Sequence, residues 1–552
     1  MTRKILYFLV LAMLLSGLTV STAAAKVSPE LDGNAAVERI DQFDLKKQSV
    51  PMISDELTPE QAREHVRRLP LGVTAANAGI GIGEIIDNTY DDFQATMKVG
   101  KYVGTTYDNF SDPSVGVEVH FNYEELSSID TATTNFYKSG YNFYNASNAP
   151  GTNWPEGQES GCQLDGLHQY GGSYGANLAL LPDGRLVFGA GSDMRSEHTG
   201  EDDSTTNLDN LMFFQQDKSA FNRCYWDSTA NVSHIPPAQY QVGWVSEGTD
   251  SVGQARDPVV AVHIIGSDTV THCLMSETQW SWIDGWPRDT DYPGWHTYSY
   301  FRKVGTATPG TWTGPTVIDT NFWVGMGLAA SPVSSKVAIA GPKVSPLGRL
   351  NSNFADRDVY YIESTDGGLT WPTPMTNITS YARNAPSWSA KTEIELMYDH
   401  NDNLHVLWTA QPTPDNPYRG GYHWPDFGAD LFHWSDAISG SHAGGTISLV
   451  QYGSYDVNPI ACSYGGYNAG YIGWYNMTEC DGNLYVIYDI WHSRVLELGI
   501  VPEAYDDCGA VIEGDGTHSS NAEVFLNVSS TLDGLLWDAP RNLTNTYTPD
   551  CD

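Results

Sequence analysis

The side chains best equipped for chemistry in this 552-residue chain lie in a few short stretches. Asp193-Met194-Arg195-Ser196-Glu197-His198 brings a guanidinium, carboxylates and an imidazole close together in sequence. Glu277 is followed by Trp280, Trp282, Asp284, Trp286 and Arg288. Tyr418-Arg419 precedes His423-Trp424, and Asp489 precedes Trp491, His492 and Arg494. Aromatic faces stack on sugar rings, while arginines and carboxylates clamp hydroxylated or acidic ligands through charge-assisted hydrogen bonds. Arg195, Glu197, His198, Trp280, Trp282, His423, Trp424, Trp491, His492 and Arg494 are therefore candidate binding residues. Arg256, Asp257 and Glu277 are candidates for catalysis, although no motif assigns a role to any of them.

Other motifs carry less. Gly171-Gly172-Ser173-Tyr174-Gly175 has the spacing of a nucleophile elbow but leads into a strand pattern, whereas the elbow needs a helix. Asp399, Asn401 and Asn403 have the spacing of a calcium loop, but Leu404 stands where its glycine belongs, and the segment reads as a hairpin turn. No cofactor is called for. Calcium is the ion that the acidic loops at Glu201-Asp202-Asp203, Asp506-Asp507 and Glu513-Gly514-Asp515 would suit, but solvated loops are the better explanation of them.

These stretches are positioned by a repeat. From about residue 81 the chain alternates short apolar runs with Asp/Asn/Gly turns such as Pro182-Asp183-Gly184 and Asp481-Gly482-Asn483. Six first hairpins begin near Met97, Asn177, Pro258, Gly327, Ile394 and Tyr475, spaced by roughly 65 to 80 residues. A second hairpin follows each, for example Asp358 to Thr379 and Glu523 to Thr544. Two hairpins make a four-stranded antiparallel blade, and six blades make an all-β, six-bladed β-propeller over residues 81–552. Loops that enter each first strand and leave each second strand converge on one face, and the chemistry-bearing stretches occupy those loops.

Ser364-Thr365-Asp366-Gly367-Gly368-Leu369-Thr370-Trp371 resembles the Asp-box, or BNR repeat, of the sialidase-like propellers, S-x-D-x-G-x-T-W. Ser530-Thr531-Leu532-Asp533-Gly534-Leu535-Leu536-Trp537 is a degenerate copy that carries an extra residue before the Asp. The resemblance implies a structural role for Ser364, Asp366, Gly368, Trp371, Asp533 and Trp537, between the outer strands of a blade and away from the active site. For an active sialidase it would also imply an arginine triad, an aspartate acid/base and a Tyr–Glu nucleophile pair. The family's Phe-Arg-Ile-Pro start is missing, and Phe301-Arg302-Lys303 falls on an outer hairpin.

Composition narrows the partners. With 29 Lys+Arg against 67 Asp+Glu the net charge is −38, which excludes nucleic acid and anionic membrane surfaces as natural partners. A 41% hydrophobic and 12% aromatic content supports a large core. Residues 1–25 have the layout of a secretory signal peptide, and no later run is long and apolar enough to span a bilayer. Residues 26–80 form an N-terminal extension with a short helix starting at Thr58-Pro59-Glu60. Seven cysteines without a C-x-x-C argue against zinc or redox dithiols, and Cys480 with Cys508 is the pairing to expect. The sequence thus describes an exported sialidase-like propeller that recognises glycans or polysaccharides. An exo-sialidase-type glycoside hydrolase and a cell-surface interaction module of a longer chain are the alternatives.

Overall fold

The computed structural model describes residues 103–107, 117–125, 138–149, 151–154, 162–163, 173–181, 186–193, 211–217, 232–235, 254–278, 296–305, 312–322, 325–344, 357–381, 387–413, 430–451, 472–491 and 522–543. The expected signal peptide, N-terminal extension and short helix fall outside them. All regular elements among the described residues are β-strands.

The strands fall in chain order into four-stranded antiparallel runs. The first is β1 (Val103–Tyr107), β2 (Val117–Glu125), β3 (Lys138–Asn145) and β4 (Cys162–Gln163). The second is β5 (Ser173–Leu180), β6 (Leu186–Asp193), β7 (Leu211–Asp217) and β8 (Val232–Ile235). The third is β9 (Gln254–Ile265), β10 (Asp268–Thr278), β11 (His296–Val304) and β12 (Trp312–Phe322). The fourth is β13 (Gly327–Ala330), β14 (Val337–Val344), β15 (Arg357–Ser364) and β16 (Thr376–Asn377). The fifth is β17 (Ser387–Tyr398), β18 (Leu404–Thr413), β19 (Asp430–Gly440) and β20 (Gly444–Gln451). The sixth is β21 (Ile472–Cys480), β22 (Asn483–Trp491), β23 (Ala522–Ser529) and β24 (Arg541–Asn542). A single pair, Phe322 with Lys343, joins the third and fourth runs into one eight-stranded sheet.

Alternation along the strands explains how the runs stack. On β18, Val406, Trp408 and Ala410 enter the core shared with the fourth run, while Leu407 enters the core shared with the sixth. On β9, Val260 and Val262 pack toward the second run, and Val259 and Ala261 toward the fourth. Successive side chains leave a strand on opposite faces, so a strand between two neighbours is buried on both. The cores consequently lie between runs, and each first strand leans on the run before it. Burying each such Val, Leu or aromatic side chain stabilises the stack by about 1.5–3 kcal/mol.

The turns sit at one end of the runs. Asp481 and Gly482 both have positive φ, 51° and 75°, in the tight turn between β21 and β22. Between β17 and β18 the Asp399 carboxylate accepts hydrogen bonds from the Asn401 and Asn403 backbone amides at 2.9 and 2.8 Å and from Asn403 Nδ2 at 2.8 Å. The calcium-like spacing is a self-satisfied hairpin turn. Cys480, at the end of β21, is exposed, and Cys508, its expected partner, lies outside the described residues.

Candidate functional site

The two ends of the runs do different work. At the turn end, the Ser364–Trp371 loop connects β15 to β16 and bonds to itself. Asp366 Oδ1 accepts from the Leu369 and Thr370 amides at 3.0 and 2.9 Å and from Ser364 Oγ at 2.8 Å. Asp366 Oδ2 accepts from Thr370 Oγ1 at 2.6 Å. The Thr370 hydroxyl and amide, ahead of the other donors, hold the Asp366 carboxyl down to about 2. Gly367 and Gly368 have φ of 72° and 77°, and a methyl on Gly368 would collide with Tyr300 Oη of the third run. Trp371 meets the Tyr300 ring edge-on at 4.9 Å, and Arg302 Nε donates to Gly367 O at 2.7 Å. The loop therefore fastens its own run to the preceding one.

The second copy repeats the arrangement one interface on. Trp537 packs edge-on to His433 of the fifth run at 5.5 Å, and a methyl on Gly534 would strike the same imidazole. β23 ends at Ser529, so Asp533 stands four residues beyond its strand where Asp366 stands two beyond β15, although the two loops are equally long. Asp533 Oδ1 accepts from Thr531 Oγ1 at 2.6 Å and from the Leu535 amide at 3.0 Å. Beneath each loop lies a buried histidine pair. His272 Nε2 is 3.2 Å from His263 Nε2, with Tyr300 Oη 2.5 Å from His272 Nδ1. In the fifth run His405, His433 and Ser448 form the equivalent chain, ending on Gly534 O.

The opposite end, where first strands begin, carries a bulge in four of those strands. β9 has a bulge at which Asp257 and Pro258 oppose Met275. β5 has one at Gly175 and Ala176, and β21 one at Trp474 and Tyr475. On β17 the three residues Lys391, Thr392 and Glu393 oppose Thr409. Four first strands thus bulge at the same place, near their starts. Bulges concentrate beside active sites because they re-aim side chains out of the regular pleat.

Charge is buried at the same end. Lys391 and Glu393 on β17, Arg357 at the start of β15 and Asp430 at the start of β19 are all buried. The Arg357 amide donates to Ser389 Oγ at 3.2 Å, tying β15 to β17. Burial, and secondarily the Arg357 cation, push the Lys391 amine well below its ordinary value. Taking such groups from water is costly, which makes a cluster of them a marker of function more than of stability.

Of the catalytic candidates, Arg256 on β9 is paired with Ser276, and Glu277 on β10 with Ala255. With Asp257 in the bulge, these three share one strand end. Trp491 is the last residue of β22, at the corresponding end of the sixth run. Arg195, Glu197, His198, Trp280, Trp282, His423, Trp424, His492 and Arg494 lie outside the described residues. Arg302, which follows Phe301, sits at the turn end, as its outer-hairpin position implies. Among the described residues no group of three metal-ligating side chains occurs, and no helix is long and apolar enough to cross a membrane.

Lys391, Glu393, Arg357 and Asp430 were not singled out in the sequence, nor was Trp474. The available signal was Lys391-Thr392-Glu393, charged at alternate positions just before an apolar strand.

No protein-family model matches the chain, and no curated protein does. Solved structures resemble it distantly. A Dyadobacter fermentans protein of unknown function is 10% identical over 80% of this chain and 97% of its own, with a TM-score of 0.38. Trypanosoma rangeli sialidase is 12% identical over 76% of this chain and 53% of its own, with a TM-score of 0.34. Penicillium chrysogenum alpha-L-arabinanase is 13% identical over 65% of this chain and 97% of its own, with a TM-score of 0.31.

Proposed function

We propose that the chain is a six-bladed β-propeller that recognises glycans at the end where its first strands begin. The observation that carries this reading is the recurrence of a bulge near the start of β5, β9, β17 and β21. Irregular backbone repeated at one end of otherwise regular hairpins marks where side chains are presented to a ligand. The aromatic, arginine and carboxylate residues of the adjoining loops suit sugars, and the charge of −38 disfavours nucleic acid. The signal-like residues 1–25 support recognition outside the cell, including at a cell surface. A glycan array and polysaccharide pull-downs test the reading, with Trp282→Ala and Trp491→Ala as variants. Binding that either variant weakens supports it. No ligand, or variants equal to wild type, sinks it.

The buried charges at Arg357, Lys391, Glu393 and Asp430 favour a second reading, a glycoside hydrolase. Turnover of a fluorogenic sialoside or release of reducing sugar from a polysaccharide panel would establish it. No turnover on any of them rejects it for those substrates.

A further inference from the structure

Trp474 is held in a conformation that a bulky residue does not choose. Its φ is 44°, in the left-handed region, at the third position of β21 and inside the bulge. Such a conformation persists only where neighbours over-determine it, and such residues gather at ligand sites. Here the neighbour is the fifth run. Glu393 Oε2 accepts the Trp474 amide proton at 2.9 Å, and the Tyr475 hydroxyl donates to the Glu393 carbonyl oxygen. The Thr409 amide, opposite the β17 bulge, donates to the same tyrosine oxygen at 3.3 Å. Two bulges in successive runs are thereby interlocked. Glu393 and Tyr475 are buried, while the Trp474 side chain stays partly open to solvent. The construction fixes one aromatic side chain at the bulged end while its anchors stay inside.

We propose that Trp474 is a stacking platform for an uncharged sugar ring, and that Glu393 is the positioning residue that holds it. The proposal rests on the glycan-recognition reading above and adds the residue and the ligand class. An indole offers a flat apolar face suited to the C–H face of a pyranose or furanose. The acid excess across the chain repels polyanionic polymers, which leaves uncharged polysaccharides as the favoured class.

The test is electrophoresis of the full chain through gels containing arabinoxylan, galactomannan or mixed-linkage β-glucan, with polygalacturonate as the acidic comparator. Wild type is expected to be retarded by at least one uncharged polymer. Trp474→Leu keeps apolar bulk without the π face and should weaken that retardation by about tenfold or more. Trp474→Phe should keep most of it. Glu393→Ala should behave like Trp474→Leu, whereas Glu393→Gln keeps an acceptor oxygen and should rescue binding. Melting temperatures identify any variant that fails to fold, and the Phe and Gln variants then decide the matter by retention of binding. Equal retardation of wild type and Trp474→Leu overturns the platform and leaves glycan recognition standing. Retardation by polygalacturonate alone overturns the ligand class. Retardation of wild type in no gel overturns the proposal together with the reading beneath it.

Discussion

His405 Nδ1 lies 2.9 Å from His433 Nε2, with both rings buried, so one proton occupies the space between two imidazoles. Hydrogens on both facing nitrogens would set two N–H groups against each other inside the core. Asp399 Oδ2 stands 3.5 Å from His405 Nε2 on the far side, and His433 faces Ser448, Trp537 and the Gly534 carbonyl. The third run carries its own pair, His263 and His272, facing Tyr300 with Arg302 nearby. Burial first, and then neighbouring positive charge, push His272 and His433 well below the ordinary histidine range. Burial likewise brings His263 down to about 4.

This predicts a specific acid sensitivity. The unfolded chain takes up histidine protons near pH 6.5, while folded His263 refuses its proton until about pH 4, and His272 and His433 are likewise held neutral well below the ordinary histidine range. Between those values the unfolded state binds more protons, so stability falls as pH falls from 6.5 to 4 and is insensitive to these groups above 6.5. Melting temperature measured from pH 8 to pH 4 should show that decline, and combining His272→Gln with His433→Gln should flatten it. A wild-type profile level between pH 7 and pH 4 would contradict the assignment.

Asp366 acts in a lower window. Its carboxyl is held near 2 by the loop donors, so its contribution is complete above about pH 4 and is lost as pH falls toward 2. Asp366→Ala removes an acceptor for two amides and two hydroxyls and should cost about 2–3 kcal/mol. Asp533→Ala removes an acceptor for one amide and one hydroxyl and should cost about 1 kcal/mol. Urea unfolding of the two variants provides the comparison, and equal losses would show that the loops are not graded in this way.

Two glycines with nearly the same φ separate backbone strain from collision. Gly482→Ala, at φ 75° with open space around it, should lose about 1 kcal/mol from strain alone. Gly368→Ala, at φ 77°, must also displace Tyr300 Oη and the His272 ring, and should lose more than about 3 kcal/mol. Similar losses in thermal unfolding would mean that the Gly368 contact with the third run yields easily.

The hairpins were legible because their turns announce themselves, as Asp481-Gly482-Asn483 does, and because first and second strands are apolar on both faces. The first strands were read as starting near Asn177, Pro258, Ile394 and Tyr475, whereas they start at Ser173, Gln254, Ser387 and Ile472. Each reading began at or just beside the bulge. An extra residue breaks the two-residue period, so the segment before it looks like loop. That is why Lys391, Glu393 and Trp474 escaped notice. The loop aromatics were found by composition alone, which carries no information on what surrounds them. The tryptophans of the Ser364–Trp371 loop and its copy reach back to Tyr300 and His433 of the preceding run, a contact that local pattern does not encode.

Glycan uptake at the bulged end is the proposal on which the rest depends. Amide hydrogen exchange with and without a polysaccharide that binds tests it directly. Protection is predicted at residues 254–258, 391–393 and 472–475, with the turns at 399–403 and 481–483 unchanged. Protection confined to those turns, or no change at the bulges, would contradict it.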